Sequence, residues 1–211
     1  MTETPSKREQ LKEERRRQIL DAALDVFAQK GYSAANVSDV AARAGVSQGT
    51  IYWYFDSKEE LFTAAIRTLF DSLDQEAFVA LAQCATAADK LRALGQTMAQ
   101  FAESAGALLM RFLEVWAAGL DREGEENTWI DLLRQYRDVI VGIIEEGVKN
   151  GEFRPVDAGS LVWALLAAYD GLAAYAVFMP DLDLGRISQA FVGALLTGLE
   201  IKEMDRNGRQ R

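Results

Sequence analysis

Histidine is absent from this chain of 211 residues, and cysteine occurs once. Without histidine, the commonest general base, the usual zinc ligand and every Ser–His triad are excluded. The lone Cys84 rules out an internal disulfide and fits a reducing compartment. It has no resolving partner, and Lys90 is the only nearby cation, so it reads as a small buried apolar residue rather than a redox sensor. Prolines number only three. No phosphate-cradling loop occurs, since GVSQG is too short for one. No run approaches the roughly 20 apolar residues of a membrane span, and the charged N-terminus is unlike a signal peptide. These absences disfavour an enzyme. They predict a cytoplasmic, non-membrane protein with no cofactor and no metal site.

The most informative stretch is residues 36–62, NVSDVAARAGVSQGTIYWYFDSKEELF. Asn36 is placed to cap a helix, with Asp39 in its first turn. Val37, Val40, Ala41 and Ala44 recur at helical spacing. Gly45 ends that helix, because glycine alone enters the left-handed backbone region without penalty. Ser47 caps the next helix, whose inward face is Ile51 and Phe55. Ser57 and Glu60 form a capping box for a third. Two short helices around a tight turn are the pattern of a helix-turn-helix DNA reader. Opposite Ile51 and Phe55 stand Gly49, Thr50, Tyr52 and Trp53. Exposed large aromatics on so short a helix indicate a binding surface; packing against a second domain is the alternative. Gly49 lets the backbone approach DNA, Thr50 suits a thymine methyl, and Gln48 suits adenine. Tyr54 is ambiguous between surface and core. Lys58 sits in the first turn of a helix, where free N–H groups already favour an anion.

Residues 15–62 resemble the DNA-binding domain of the TetR family of bacterial transcriptional repressors, with AGVSQGTIYWYF and SKEEL the most specific parts. The resemblance implies that Ser47, Gln48, Gly49, Thr50, Tyr52, Trp53 and Tyr54 face DNA and that Lys58 holds a phosphate. Ala35 departs from the Thr or Ser usual in the family, which shifts a backbone contact to Asn36 or Ser38.

Upstream, Ile19, Leu20, Ala23, Leu24, Phe27 and Ala28 form one buried helical stripe ending at Gly31. Before it, SKREQLKEERRR reads as a basic arm able to follow a phosphate backbone or enter a minor groove. A solvated tail is the alternative. Arg15 to Arg17 are its best candidates, Arg17 among them. The net charge of −9 does not oppose DNA binding. Residues 1–55 carry eight Lys or Arg against seven Asp or Glu, so the acidity belongs to the remainder.

From residue 57 onward the chain reads as helices near 57–75, 86–103, 105–120, 127–149, 156–179 and 184–204, separated at Gly106, residues 119–127, Asn150-Gly151 and Pro180-Asp181. An all-α fold is predicted, with a DNA-binding domain over 1–56 and an effector-binding and dimerisation domain over 57–211. The last two helices are apolar nearly all round, which calls for burial on every side. A second copy is the simplest partner, and TetR-like proteins pair through these helices. Leu165, Leu172, Phe191, Leu195 and Leu199 are the expected dimerisation residues. Met98, Phe112, Glu114, Trp116, Tyr136, Trp163 and Tyr169 are candidates to line a pocket for a small apolar or aromatic effector, although core packing explains many such residues equally well. Glu114 is open between ligand contact and pairing with Arg111 or Arg134. Asp170 reads as structural. The expected function is a ligand-responsive repressor that binds an inverted-repeat operator in double-stranded DNA as a homodimer. An effector-independent DNA organiser or adaptor shares every reader residue.

Overall fold

The structure is a computed structural model. It describes residues 6–119 and 128–201, with side chains omitted at 111, 114–119, 128 and 129. Among the described residues there are eight helices and no strand. In order they are α1 (Lys7–Ala34), α2 (Val37–Ala44), α3 (Gln48–Tyr54), α4 (Lys58–Ala82), α5 (Ala87–Gly119), α6 (Thr128–Lys149), α7 (Ala158–Phe178) and α8 (Leu184–Leu199). The chain divides into two compact units, residues 1–72 with 108–120, and residues 73–107 with 121–211. The division falls inside α4 and α5.

Local chemistry sets the helix ends. The Ser6 hydroxyl accepts from the Glu9 amide while the Glu9 carboxylate accepts from the Ser6 amide at 2.7 Å, a reciprocal cap that starts α1 far upstream. The expected arm is therefore the opening turns of a helix, not an extended tail. Gly31 interrupts α1 with φ 74° and ψ 165°, a region essentially restricted to glycine. Gly45 ends α2 in the left-handed region. Asp157 and Asp183 cap α7 and α8 by accepting from the amides of Ser160 and Arg186. Those bonds hold the Asp157 carboxyl below its usual range, first through Ser160.

In the first unit, Phe27, Tyr32, Phe62 and Phe112 form an aromatic cluster, with ring centroids 4.9 Å apart for Phe27–Phe62 and Tyr32–Phe62 and 6.2 Å for Phe62–Phe112. Ile19, Leu20, Val40, Ile51, Phe55 and Leu61 complete its core. In the second unit α5, α6, α7 and α8 surround Leu91, Ile143, Ile144, Phe153, Val162, Leu166 and Leu196. Each such side chain, fully buried, stabilises by roughly 1.5–3 kcal/mol.

Two sequence expectations are corrected here. Gly106 does not break a helix: α5 runs through it. A Cβ at 106 would stand 2.7 Å from the Ala173 carbonyl oxygen, so this glycine lets α5 and α7 approach closely. The second correction concerns membrane-like runs. Helix α7 is long and apolar enough to cross a bilayer by length and composition. Its Val162, Leu165, Leu166, Tyr169 and Ala173 face, however, packs into the second unit's core.

Candidate DNA-reading surface and effector cavity

The first unit presents α3 with its inward face spent on Ile51 and, at the cap, Phe55, which are 1% and 2% exposed. Its opposite face is open: Tyr52 is 51% and Trp53 66% exposed, and Gln48 and Gly49 are also at the surface. Beyond its chain neighbours and its own helix backbone, the one atom of the described residues within 4 Å of a Cβ added at Gly49 is the Ser47 hydroxyl oxygen, at 3.7 Å. Nothing inside the protein requires glycine there. The Ser47 hydroxyl accepts from the Thr50 amide at 3.0 Å and lies 2.9 Å from the Thr50 hydroxyl, so Ser47 and half-buried Thr50 secure each other.

Tyr54 is only half-buried, and its hydroxyl donates to the Lys12 carbonyl at 3.2 Å. Its ring stacks edge-on with Trp53 at 4.6 Å. This phenol is engaged as a strut between α3 and α1. Asn36 and Ser38 are exposed at the start of α2, and the buried Ala35 beside them belongs to the core. The Asn36 amide donates to Asp39, which also pairs with Lys30 at 2.8 Å. The Lys30 bond and then the Asn36 bond hold the Asp39 carboxyl below its usual range.

Lys58 opens α4, with its ammonium 4.4 Å from the centre of the Tyr32 ring. The Ser57 hydroxyl accepts from the Glu60 amide at 3.0 Å. The Glu60 carboxylate accepts from the Asp56 amide rather than from that of Ser57, a one-residue shift from the expected capping box. Arg17 is exposed, but it lines an open groove with Glu14, Asp21 and Asp25.

In the second unit an enclosed cavity of about 20 Å³ is walled by Leu91, Leu94, Gly95, Met98, Ile140 and Leu165, and further by Leu166, Tyr169, Val192 and Leu195. That volume is close to what one water needs. Its polar corner joins three helices. Ser188 on α8 donates to the Gly95 carbonyl of α5 at 2.8 Å, and the Tyr169 hydroxyl of α7 lies 2.6 Å from the Ser188 oxygen and 3.3 Å from the Gly95 carbonyl. With the Ser188 proton directed to Gly95, Tyr169 is the donor of that pair. Burial pushes the Tyr169 phenol up from its ordinary value. A Cβ at Gly95 would meet Val192, Tyr169 and Ser188 at 2.6, 2.8 and 3.2 Å.

Among the described residues expected in a pocket, Met98 and Tyr169 line this cavity. Tyr136 packs against the same core. Phe112 lies in the first unit, its ring tilted against that of Phe62. Trp163 does not line this cavity: it is 44% exposed on α7, with the Arg137 guanidinium 5.9 Å from its ring centre. The Glu114 and Trp116 side chains lie outside those described. The aliphatic wall supplied by Leu94, Ile140, Val192 and Leu195 was missed, because nothing in the sequence separates a cavity wall from core.

Two expected dimerisation residues point inward. Leu165 and Leu199 are 9% and 2% exposed within a single chain, so their side chains are spent on its own core. Leu172 and Leu195 are half-buried, and Phe191 is exposed. Trp163, Tyr175, Val177 and Phe178 on α7, with Ile187 on α8, add exposed apolar surface that the sequence reading did not assign to this role. Asp170 sits half-buried in α7, and burial pushes its carboxyl above the usual range. Among the described residues no cluster suited to a metal ion occurs.

Comparison with known proteins agrees with this arrangement. Residues 19–65 match the family model of bacterial regulatory proteins of the tetR family, and residues 84–174 match the tetracyclin repressor-like C-terminal domain. The fatty acid metabolism regulator protein of Bacillus subtilis is 30% identical over 138 residues, 65% of this chain and 70% of that protein. The transcriptional repressor KstR2 of Rhodococcus jostii is 31% identical over 158 residues, 73% of this chain and 75% of that protein. The structure of FadR from Bacillus subtilis in complex with stearoyl-CoA superposes with a TM-score of 0.70 at 25% identity, covering 87% of this chain and 98% of that one. The relatives are non-enzymatic transcription regulators. With the open face of α3 and an all-helical second unit, these matches place the chain in the TetR family of DNA-binding bacterial transcriptional regulators.

Proposed function

We propose that this protein is a cytoplasmic repressor that binds an inverted-repeat operator as a homodimer and is released by a small apolar effector. The observation that carries the DNA half is the exposed pair Tyr52 and Trp53 beside the open Gly49 on α3. Gln48, Gly49, Thr50, Tyr52 and Trp53 would read the major groove, with Ser47, Asn36, Ser38 and Lys58 on its phosphate walls. Tyr54 would help by fixing α3 against α1. The second copy would cover the outer faces of α7 and α8, where Trp163, Tyr175, Phe178, Ile187 and Phe191 are exposed and where an added Cβ at Gly171 or Gly193 meets nothing within 4 Å. A two-fold protein suits a two-fold site.

The effector half rests on the cavity between α5, α6, α7 and α8. Its wall is aliphatic, which favours a hydrocarbon chain over an aromatic ring and is in keeping with a relative that regulates fatty acid metabolism and a structural neighbour crystallised with stearoyl-CoA. A space of about 20 Å³ must widen to admit such a chain. The ligand then acts by preferring the widened state, a coupling to DNA affinity of typically ~1–3 kcal/mol. The same small volume favours a second reading, a DNA-binding organiser whose core is simply filled.

Selection of bound fragments from genomic DNA, repeated with long-chain acyl-CoA present, tests both. Recovery of sites sharing an inverted repeat, and their loss with acyl-CoA, is the expected result. Sites that persist against every ligand offered would favour the organiser, and fragments without a shared repeat would overturn the operator reading. Sedimentation as a monomer at micromolar concentration would overturn the homodimer.

A further inference from the structure

The opening turns of α1 carry a cationic stripe in phase with that helix's buried face. Arg8, Lys12, Arg15 and Arg16 stand three to four residues apart or adjacent, and the same stripe continues as Ile19, Ala23 and Phe27, which are 0%, 0% and 1% exposed. Downstream this face meets the core of the first unit. Upstream it meets the end of α3. The Lys12 ammonium lies 5.0 Å from the centre of the Trp53 ring, the Lys12 carbonyl accepts from Tyr54, and the Arg16 guanidinium lies 5.6 Å from the Phe55 ring. Three contacts thus seat Lys12 and Arg16 against the end of the reading helix, beside exposed Trp53, half-buried Tyr54 and buried Phe55. Arg8, Lys12 and Arg15 remain exposed there.

The acidic residues of these turns dilute the stripe only in part, Glu13 flanking it by its helical position. Glu9 is engaged with Ser6, whose bonds hold its carboxyl below the usual range. Glu14 lines the groove of Arg17, Asp21 and Asp25, off the stripe by its helical position. Arg17 therefore shares its groove with Glu14, Asp21, Asp25 and Arg43, whereas Lys12 and Arg16 lie against aromatic rings of α3 and its cap, and Arg8 and Arg15 stand exposed on the same helix face. From Arg8 to Arg16 the helix rises ~12 Å, a span matching three to four phosphates of one strand at ~3.4 Å each.

We propose that Arg8, Lys12, Arg15 and Arg16 form a phosphate-binding rail that extends the contact of α3 along the flanking DNA backbone, and that Arg17 has no part in it. The proposal rests on α3 being the DNA reader. It keeps Arg15 and Arg16 from the Arg15 to Arg17 set that the sequence offers, adds Arg8 and Lys12 by helix phase, and leaves out Arg17.

The test is the salt dependence of binding, by fluorescence anisotropy with the full-length protein and a short random-sequence duplex. Backbone contacts persist on random DNA, so the measurement does not depend on an operator. Arg8→Gln with Arg15→Gln removes two cations that touch none of the rings. It should flatten the log–log slope by ~1.8, so that the wild type loses about tenfold more affinity than the variant between ~50 and ~200 mM salt. Arg17→Gln should leave the slope unchanged, and Arg8→Lys with Arg15→Lys should restore it. An unchanged slope in the double Gln variant, or an equal flattening by Arg17→Gln, would overturn the rail. Failure of the operator reading shows differently, as equal affinity of wild type for a genomically selected site and for random DNA.

Discussion

Replacing Gly49 by alanine separates folding from DNA reading. In the free protein the new methyl enters open space, its nearest neighbour being the Ser47 oxygen at 3.7 Å, an ordinary contact. Helix propensity then favours the substitution by up to ~0.8–1.0 kcal/mol, less in practice because residue 49 lies in the first turn of α3. For a chain of this size that amounts to a rise in Tm of at most about 2–4 °C. On DNA the balance reverses. If α3 enters the groove with its Gly49 side foremost, the methyl occupies space that belongs to a base edge or phosphate. Overpacking of a close contact costs ~1–3 kcal/mol, or about 5- to 150-fold in affinity. Thermal melting and anisotropy on a genomically selected duplex measure the two effects on the same sample. The expected result is a variant no less stable than the wild type that binds DNA at least fivefold more weakly. Equal DNA affinity would refute the close approach at Gly49. A fall in Tm would refute the open space around it.

Lys58→Ala should flatten the salt slope of DNA binding by ~0.9 while loss of its contact with the Tyr32 ring costs ~0.5–1 kcal/mol of stability; an unchanged slope removes the phosphate role. Tyr169→Phe deletes one buried donor while Ser188 keeps its bond to Gly95, so chemical denaturation should show a loss of ~0.5–1.5 kcal/mol, and no loss would mean the phenol is not bonded in solution. Asp170 is held above the usual carboxyl range by burial. Its contribution to stability is therefore present below the unfolded pKa near ~3.9 and lost as pH rises through the folded value. Asp170→Asn should raise Tm at neutral pH, with the gain shrinking below about pH 4, and a gain independent of pH would contradict this.

The reader unit was legible in the sequence because its determinants are local. Ser47, Gly45 and the Ile51–Phe55 pair act within a few residues of one another, and α2 and α3 begin and end where those residues indicate. What failed depended on long-range packing. A glycine reads alike whether it ends a helix or admits a neighbour, so Gly106 looked like a break until the Ala173 carbonyl was seen against it. In a helix as uniformly apolar as α7, composition carries no phase, and Leu165 and Trp163 could not be assigned to inner and outer faces. The contact of Phe112 with Phe62 was not legible because the two rings are distant in sequence. Arg8 and Lys12 are a different case. The phase set by Ile19 and Ala23 extends backward to Arg16, Lys12 and Arg8, and that periodicity was readable all along.

Asp170 also bears on how the chain is made. As it leaves the ribosome, α7 is a segment of bilayer-spanning length and hydropathy, without the neighbours that later bury one face. To the insertion machinery it competes with genuine spans. A single Asp near the middle of such a segment adds ~2.5–3.5 kcal/mol to the cost of entering the membrane. That is enough to turn a marginal substrate into one that is released. The carboxylate that costs stability in the folded protein thereby helps keep the nascent one out of the lipid.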